Sequence, residues 1–514
     1  MKVTEVERKE STKHCCGNGW TQKNSAEHEG YAGALIGKRI AENNTTNADR
    51  GVNGLLERIV EAGNLNRAYK RVKRNKGAGG VDGMKVDELL QYLKDNGKEI
   101  RESIVDGRYR PQPVRRVEIP KENGKKRKLG IPTAVDRVIQ QGIAQVLTPI
   151  YEPKFAETSY GFRPGRSAQD ALRKCREYLE EGYVWTVDMD LEKFFDTVNQ
   201  SKLIEILSRD IKDGRVISLI HKYLKAGAVE CGRFVDTEVG VPQGGPLSPL
   251  CANIMLNELD HELERRGHKF VRYADDMVIF CKSKASAMQT LEHIIPFIEK
   301  KLFLKVNREK TVAAYAGRIK FLGYGFYKST KGWRMRVHKK AVDKLRKRIR
   351  ELTSRRWVND YEEWKTSLKR YVEGWVNYFK LADMGNLLKS TDEWMRRRIR
   401  MVFWKKWKRI RTRWRNLLKL GVSNSNAGIL ANSRKGYWRI AGSPIKMCIR
   451  DSPGPVPSHP QHRAHPFPRR ITPPYPFASA DRLSHSARSH RGAERHPGSP
   501  DGRESGHRPF HRCI

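Results

Sequence analysis

The sequence lacks features that would place it in several common protein classes. No apolar run approaches the roughly 18 residues that a membrane-spanning helix needs. Its eight cysteines are scattered and form no C-x-x-C pair, which argues against a zinc ribbon and a disulfide framework. The N-terminal stretch MKVTEVERKESTKHCC has no apolar core of the kind found in export signals. These absences favour a protein of the reducing cytosol that has no membrane partner.

Acidic residues are scarce relative to basic residues. The 514-residue chain has 101 Lys and Arg residues against 58 Asp and Glu residues, which gives a formal net charge of +43. Such a charge opposes compaction unless an anion neutralises it, and a polyphosphate is the best match. The composition therefore predicts binding to nucleic acid, and the length predicts roughly three domains.

Changes in composition divide the chain into four regions. Residues 1–52 are polar and weakly patterned, which predicts a mobile leader. Residues 53–330 mix helical periodicity with short strands, which predicts an α+β domain. Residues 331–446 are predicted to form a basic, helical second domain, because residues 331–440 carry 32 Lys and Arg residues against 9 Asp and Glu residues and hold 9 of the 11 tryptophans.

The fourth region, residues 447–514, is predicted to be a disordered and non-native tail. It contains 12 of the 24 prolines and 8 of the 15 histidines, together with 11 arginines and no lysine. One interpretation is a tail evolved for RNA binding. The favoured interpretation is a translation of foreign or out-of-frame nucleotide sequence, and neither interpretation predicts a fold.

Local patterns within residues 53–330 predict individual elements. A loop with four glycines, residues 75–83, indicates unusual backbone angles or the close approach of a ligand. Alternating residues over 108–132 predict a hairpin with an Asn-Gly turn. Helices are predicted at 133–148, 167–181, 200–209, 214–226 and 247–265, and strands at 183–187, 270–272 and 277–280.

Aspartates follow apolar strands in two separate places. Asp188 and Asp190 lie in VDMDLEKFFD, and Asp275 and Asp276 lie in RYADDMV. If the strands are neighbours, Asp190 and Asp275 meet although 85 residues separate them. Clustered carboxylates repel each other unless cations lie among them, and such oxygen ligands suit Mg²⁺. The pattern predicts a two-metal phosphoryl-transfer site, and the alternative is a set of solvated turn acids.

The ordered motifs resemble the reverse transcriptases encoded by group II introns, which are also called maturases. The similarity extends over about residues 53–446 and includes YGFRPGRSAQDAL, VDMDLEKFFDTV, GVPQGGPLSPLCANIMLNELD, RYADDMVIF and IKFLGYGF. It implies a right-hand polymerase with fingers and a palm built on an antiparallel sheet. EGWVNYF and SRKGYWRIA resemble the all-α thumb, or maturase X domain, of the family. No Cys-pair endonuclease motif follows residue 440, and in this respect the sequence resembles the endonuclease-less, class C-like members; loss of an endonuclease region after about residue 446 is the alternative.

The resemblance implies which acids bind metal. The implied catalytic residues are Asp190, Asp275 and Asp276, and Leu191 joins them in the implied metal site for two Mg²⁺ ions, with Mn²⁺ as a substitute. Asp188 is a rival because it lies in the same strand. The spacing from Asp190 to Phe195 matches the family, so Asp188 is expected to be a flanking, partly solvated residue.

The resemblance also implies contacts to the incoming nucleotide. Phe195 corresponds to the ring that excludes a 2′ hydroxyl, while its neighbour Phe194 is expected in the core. Lys310 corresponds to a proton donor for pyrophosphate. Other cations near the hairpin, or simple solvation of a basic turn, remain alternatives (Lys125, Lys126 and Lys128). The implied nucleotide-binding residues are Lys121, Arg127, Phe195, Gln243 and Lys310.

Cations alternate with aromatic rings near residue 400. Phosphates attract the cations and unpaired bases stack on exposed rings, although a tryptophan core with a solvated basic face explains the same pattern. Both are expected on opposite faces, with Trp375 in a structural position. The predicted RNA-binding residues are Arg396, Arg397, Arg398, Lys405, Lys406 and Lys408.

The resulting hypothesis is an RNA-directed DNA polymerase of a mobile group II intron that also assists splicing and retrohoming. Its expected partners are intron RNA, an RNA template with a DNA primer or target, and deoxynucleoside triphosphates. Its expected location is the bacterial cytoplasm, as a nucleoid-associated ribonucleoprotein. Two alternatives remain, namely an RNA-binding maturase with secondary or lost polymerase activity and a domesticated reverse transcriptase outside introns.

Overall fold

The computed structural model describes residues 54–120, 126–354 and 361–443, and these residues belong to one compact unit. The predicted leader, residues 1–52, and the predicted tail, residues 447–514, lie outside the described residues, as does Lys121. In the described part, no helix is both long enough and apolar enough to cross a membrane.

Helices dominate the first part of the described chain. Several begin at residues whose side chains cap the first turn; at the start of the helix Ala168–Glu180, for example, Ser167 and Asp170 form a reciprocal capping box. The helices are α1 Leu55–Val60, α2 Ala62–Asn75, α3 Leu89–Val105, α4 Ala134–Tyr151, α5 Ala168–Glu180, α6 Phe194–Thr197, α7 Gln200–Asp210, α8 Gly214–Leu224, α9 Ser248–Arg265 and α10 Lys284–Lys301.

The strands form three sheets. The first has the order β2-β1-β4-β5, the second β6-β7-β3-β8 and the third β11-β10-β9. Pairing is antiparallel throughout except between β1 and β4. The strands are β1 Val114–Pro120, β2 Lys126–Ile131, β3 Trp185–Met189, β4 Ala228–Glu230, β5 Arg233–Val235, β6 Lys269–Tyr273, β7 Asp276–Cys281, β8 Val312–Tyr315, β9 Lys320–Phe321, β10 Tyr324–Ser329 and β11 Gly332–Val337. The predicted α+β class is confirmed.

The second sheet separates two hydrophobic cores because side chains alternate between its faces. Val187, Met189 and Ile279 lie in the larger core with helices of the first part of the chain. Val278 and Phe280 lie in the other core, which also contains the apolar face of the third sheet. The sheet is therefore buried along most of its length, and its open end carries the aspartates.

The basic region folds into helices that pack on two small cores. One core joins α11, α12 and α13, and the other surrounds the buried Trp404. Trp375 packs against the core of α11, α12 and α13. It also packs against the core that contains the apolar face of the third sheet, as its predicted structural position requires. The helices are α11 Lys339–Leu352, α12 Tyr361–Tyr378, α13 Gly385–Lys406, α14 Ile410–Lys419, α15 Asn424–Asn432 and α16 Tyr437–Ala441.

Two local features differ from a simple interpretation of the sequence. The proposed boundary between residues 330 and 331 falls in the turn of the β10–β11 hairpin, so helices begin only at Lys339. The glycine loop packs its backbone on neighbouring chain: a Cβ on Gly80 would lie 2.6 Å from the Thr133 Cα. Close backbone packing thus explains the glycine at this position without a ligand.

Replacing Trp404 by Ala should lower the free energy of unfolding by about 3–5 kcal/mol, because the ring fills a core and is 1% exposed. Chemical denaturation followed by circular dichroism measures this loss. Ile429→Ala is the control, since that side chain is 64% exposed and its removal should cost less than about 0.5 kcal/mol. Equal losses in both variants would contradict the described packing.

Candidate active site

Two neighbouring strands bring the predicted acids to one end of the second sheet. Strand β3 pairs with β7 up to Met189 opposite Met277, so Asp190 follows directly beside Asp276. Strands β6 and β7 are joined by a two-residue turn, because Tyr273 pairs with Asp276. Asp275 lies in that turn. Residues far apart in sequence therefore meet through strand register.

Asp188 belongs to the same acidic group. It lies two residues before Asp190 in extended backbone, so both side chains point to one face of the sheet. Asp188 is half-buried, and its pKa is raised to about 6 by burial first and then by the negative charges of Asp276 and Asp190. Asp188 is thus partly solvated, as expected, but it is more than a flanking residue, since its two-residue spacing from Asp190 places it on the same face.

Asp276 also lies among neighbouring negative charges. Its side chain reaches solvent at the start of β7, but nearby protein displaces much of the surrounding water. That loss of water raises its pKa to about 6, and the charges of Asp275 and Asp190 act in the same direction. Lys320 opposes the rise at both Asp276 and Asp188. Nearby cations therefore reduce the repulsion among these carboxylates.

Lys310 supplies one cation. Its Nζ donates a hydrogen bond to Asp190 Oδ2 over 2.9 Å. The loop that carries it is fixed to the strand end, because the Asn307 amide donates to the Asp190 carbonyl over 2.9 Å and the Asp190 amide donates to Thr311 Oγ1 over 3.2 Å. Lys310 is therefore part of the acidic site although it is distant in sequence.

The donor chemistry fits a magnesium site, and the arrangement is open. The carboxylates are hard oxygen donors of the kind Mg²⁺ prefers, and their mutual repulsion falls when a cation binds. Within residues 54–120, 126–354 and 361–443, no three Asp, Glu, His or Cys side chains are assembled closely enough to hold a metal by themselves. Leu191 is buried beside these acids and bridges to Val306.

Two predicted nucleotide-binding residues contact each other. The Arg127 Nε on β2 donates to Gln243 Oε1 over 2.7 Å, and the Gly130 amide donates to the Gln243 carbonyl over 2.7 Å. A Cβ on Gly244 would lie 2.4 Å from the Gly130 carbonyl oxygen, so only glycine allows this approach. The neighbours Lys126 and Lys128 form ion pairs with other residues, Glu118 and Glu230 respectively.

Phe194 and Phe195 form an edge-to-face pair at the start of α6. Their ring centroids are 5.3 Å apart, and both side chains are buried, with 2% and 8% exposure respectively. The Val241 amide donates to the Phe195 carbonyl over 2.7 Å, which joins this turn to the loop that carries Gln243. Phe195 thus lies next to the loop of Gln243, the residue that contacts Arg127.

Some predicted RNA-binding arginines make contacts inside the helical region. Arg397 donates to the Trp438 carbonyl and stacks 4.2 Å from the ring of Trp438. Arg398 Nε donates to Thr353 Oγ1 over 2.7 Å, and burial together with the charge of Arg350 lowers the pKa of Arg398. These two guanidinium groups join helices to each other.

The other four predicted RNA-binding residues make side-chain contacts within the helical region or face solvent. Arg396 forms an i,i+4 ion pair with Asp392 over 2.6 Å. Lys405 Nζ is 5.8 Å from the centroid of the Tyr437 ring. Lys406 and Lys408 are exposed. An accessible basic face therefore exists near the end of α13.

Comparisons with known proteins match the two parts of the chain to two families. Residues 119–326 match the family described as reverse transcriptase (RNA-dependent DNA polymerase). Residues 342–421 match the family described as group II intron, maturase-specific domain. The two matched segments are consecutive and follow the change from mixed structure to basic helices.

Individual relatives show similar correspondence. Group II intron-encoded protein LtrA of Lactococcus lactis subsp. cremoris is 33% identical over 353 residues, which cover 56% of this chain and 59% of the relative. Protein YkfC of Escherichia coli (strain K12) is 34% identical over 314 residues, which cover 53% of this chain and 82% of the relative. The chain thus spans less than two thirds of the Lactococcus protein.

Replacing Arg398 by Ala should lower the stability of the helical region by about 1–3 kcal/mol, because the hydrogen bonds to Thr353 Oγ1 and the Arg350 carbonyl are lost. Thermal unfolding measures the effect. Arg411→Ala removes an exposed arginine and should change stability by less than about 0.5 kcal/mol. An unchanged midpoint for the Arg398 variant would show that its guanidinium does not hold the helices.

Proposed function

Because the chain belongs to the reverse transcriptases encoded by group II introns, we propose that it synthesises DNA on an RNA template. One observation carries this proposal: Asp190 lies beside the Asp275–Asp276 turn at the end of one antiparallel sheet. A protein that only bound RNA would have no need for such a group of repelling carboxylates.

The proposed reaction transfers a nucleotidyl group to a DNA primer. The primer 3′ oxygen attacks the α-phosphorus of a deoxynucleoside triphosphate, a new P–O bond forms, and the bond to the bridging oxygen breaks so that pyrophosphate leaves. Asp190, Leu191, Asp275 and Asp276 would hold two Mg²⁺ ions, or Mn²⁺ in their place, which lower the pKa of the attacking hydroxyl and neutralise the triphosphate.

The remaining residues bind and orient the nucleotide in this proposal. A hydrogen bond of 2.7 Å joins Arg127 to Gln243, so this pair of side chains can contact both the triphosphate and the new base pair. Lys121 is proposed as a further phosphate contact on the resemblance alone. Lys310 lies 2.9 Å from an Asp190 oxygen and is proposed to give a proton to departing pyrophosphate.

A second role, assistance to intron splicing and retrohoming, rests on the basic helical region. The match to the maturase-specific domain and the local excess of 32 Lys and Arg over 9 Asp and Glu residues in 331–440 support binding to intron RNA. Arg396, Lys405, Lys406 and Lys408 are proposed as contacts to RNA phosphates. Arg397 and Arg398 would act mainly by holding the helices that present these cations.

The proposed organisation assigns residues 53–330 to fingers and palm and residues 331–446 to the thumb. RNA binding without polymerisation is the second candidate function. The maturase-domain match supports it as well as it supports a polymerase that also binds RNA. The presence of Asp190, Asp275 and Asp276 favours a polymerase that also binds RNA.

We propose that the protein belongs to a nucleoid-associated ribonucleoprotein of a bacterial cell, and the net charge of +43 supports that location.

Replacing Asp275 by Asn should reduce DNA synthesis by at least about 100-fold, the scale expected when one transition-state-stabilising group is lost. RNA affinity should remain, because the cations of the helical region are unchanged. Primer extension and filter binding measure the two properties on the same preparation. Asp87→Asn, at an exposed position, is the control. Equal loss of synthesis and RNA affinity in the Asp275 variant would contradict the assignment.

Replacing Phe195 by Val should increase incorporation of ribonucleotides relative to deoxyribonucleotides by about 10- to 200-fold, the range for one altered steric contact. Competition between the two nucleotides during primer extension gives this ratio. Phe194→Leu should destabilise the core without altering sugar selectivity, because Phe194 is the more deeply buried ring of the pair. Unaltered selectivity in the Phe195 variant would remove its proposed role.

A further inference from the structure

A buried polar network lies directly behind the turn that carries Asp275. Arg272 precedes the turn on β6, and its side chain is 1% exposed. Asn253 and Asp260 lie seven residues apart on α9, and their exposures are 1% and 0%. Seven residues are two helical turns, so both side chains face β6. A buried charge needs such partners because an unpaired charge in a protein interior is costly.

Asp260 fixes one side of the Arg272 guanidinium. Arg272 Nε lies 2.8 Å from Asp260 Oδ1 and 2.9 Å from Asp260 Oδ2, and Nη2 also donates to the carboxylate. This contact holds the planar guanidinium in one orientation, which a lysine ammonium cannot reproduce. The opposite side of the group is thereby directed towards the turn.

The other side of Arg272 contacts the turn itself. Its Nη1 donates to the Ala274 carbonyl over 3.1 Å and to Asn253 Oδ1 over 3.0 Å. Asn253 Nδ2 in turn donates to the Gly161 carbonyl over 2.8 Å. The peptide that joins Ala274 to Asp275 is therefore tied through Arg272 to α9 and to the chain around Gly161.

The backbone of Gly161 packs closely against the same turn. A Cβ added to Gly161 would lie 2.1 Å from the Ala274 backbone nitrogen, so only glycine allows this approach. Ala274 has φ 60°, a left-handed conformation that non-glycine residues rarely adopt. A strained turn of this kind persists only where its surroundings hold it, and Arg272 and Gly161 provide those contacts.

We propose that Arg272, oriented by Asp260 and Asn253, is the positioning residue that sets the catalytic turn, together with the close packing of Gly161 on Ala274. Arg272 is buried and acts through the Ala274 carbonyl, to which its Nη1 donates. The inference rests on the proposed polymerase function. It assigns to this buried ion pair a role in placing Asp275 and Asp276, in addition to any contribution to folding.

Arg272→Lys is the central test. It keeps the positive charge opposite Asp260 but loses the forked contact that also reaches Ala274. Below the unfolding temperature of the variant, kcat for primer extension should fall about 100-fold, the scale of a 1 Å misplacement. The KM for nucleotide and the Kd for primer–template should remain within about threefold, since the positioning role leaves their contacts intact.

Arg137→Lys is the matched control for losing a buried arginine. Arg137 is 8% exposed and donates to the Ala78 and Thr133 carbonyls, away from the turn. It should show comparable thermal destabilisation with kcat unchanged within about threefold. If both variants lose kcat in proportion to their loss of stability, Arg272 has only a structural role and the proposal is wrong.

Gly161→Ala tests the same turn without touching the ion pair. The added methyl group collides with the Ala274 nitrogen, so a similar fall in kcat is expected. Gly214→Ala is its control, because a Cβ there meets nothing within 4 Å. Full activity of both Arg272→Lys and Gly161→Ala would refute the positioning role alone. An inactive wild-type protein would refute the proposed function and the inference with it.

Discussion

Repulsion between carboxylates is the constraint around which this part of the molecule is organised. Asp276 and Asp188 each have a pKa raised to about 6, and neighbouring negative charges contribute to both shifts. Gathering such groups costs free energy in the absence of a cation. The fold accepts this cost at one sheet end, next to Lys310 and within the influence of Lys320. Packing elsewhere in the fold must therefore offset the repulsion that opposes bringing these carboxylates together.

Three sets of contacts hold the carboxylates in place. Apolar residues on both faces of the second sheet fix the register of β3, β6 and β7. A one-residue slip would move every side chain to the opposite face, so the packing also fixes which acids meet. Behind the turn, the buried Arg272–Asp260 pair and the close approach of Gly161 limit its freedom. The loop of Lys310 is tied to Asp190 by backbone hydrogen bonds.

Sequence reasoning predicted the parts of this arrangement that follow local periodicity. Helices such as α4 and α9 and the strand pair around the YADD turn were predicted within a few residues of their bounds. The β10–β11 hairpin was missed because the basic residues that alternate with Trp333 and Met335 resemble the composition of the helical region that follows. A strand signal six residues long is easily outweighed by such a composition.

Long-range partners were the second limit. No local pattern connects Arg272 with Asp260, Gly161 with Ala274, or Arg398 with Thr353, because each contact depends on how distant elements pack. Asp188 is different, since its two-residue spacing from Asp190 was visible in the sequence. The family resemblance implied which acids bind metal and a two-part organisation, but it gave no information on which arginines of α13 make contacts inside the protein.

The proposed metal-binding site joins the end of β3 to the β6–β7 turn. Replacing Mg²⁺ by Fe²⁺ and adding ascorbate and peroxide would cut the backbone next to bound metal, and mass spectrometry would locate the cuts. The account predicts cleavage near both Asp190 and Asp275 in the protein bound to primer–template and nucleotide, with both cuts suppressed by excess Mg²⁺. Cleavage at only one of these segments, or at neither, would contradict it.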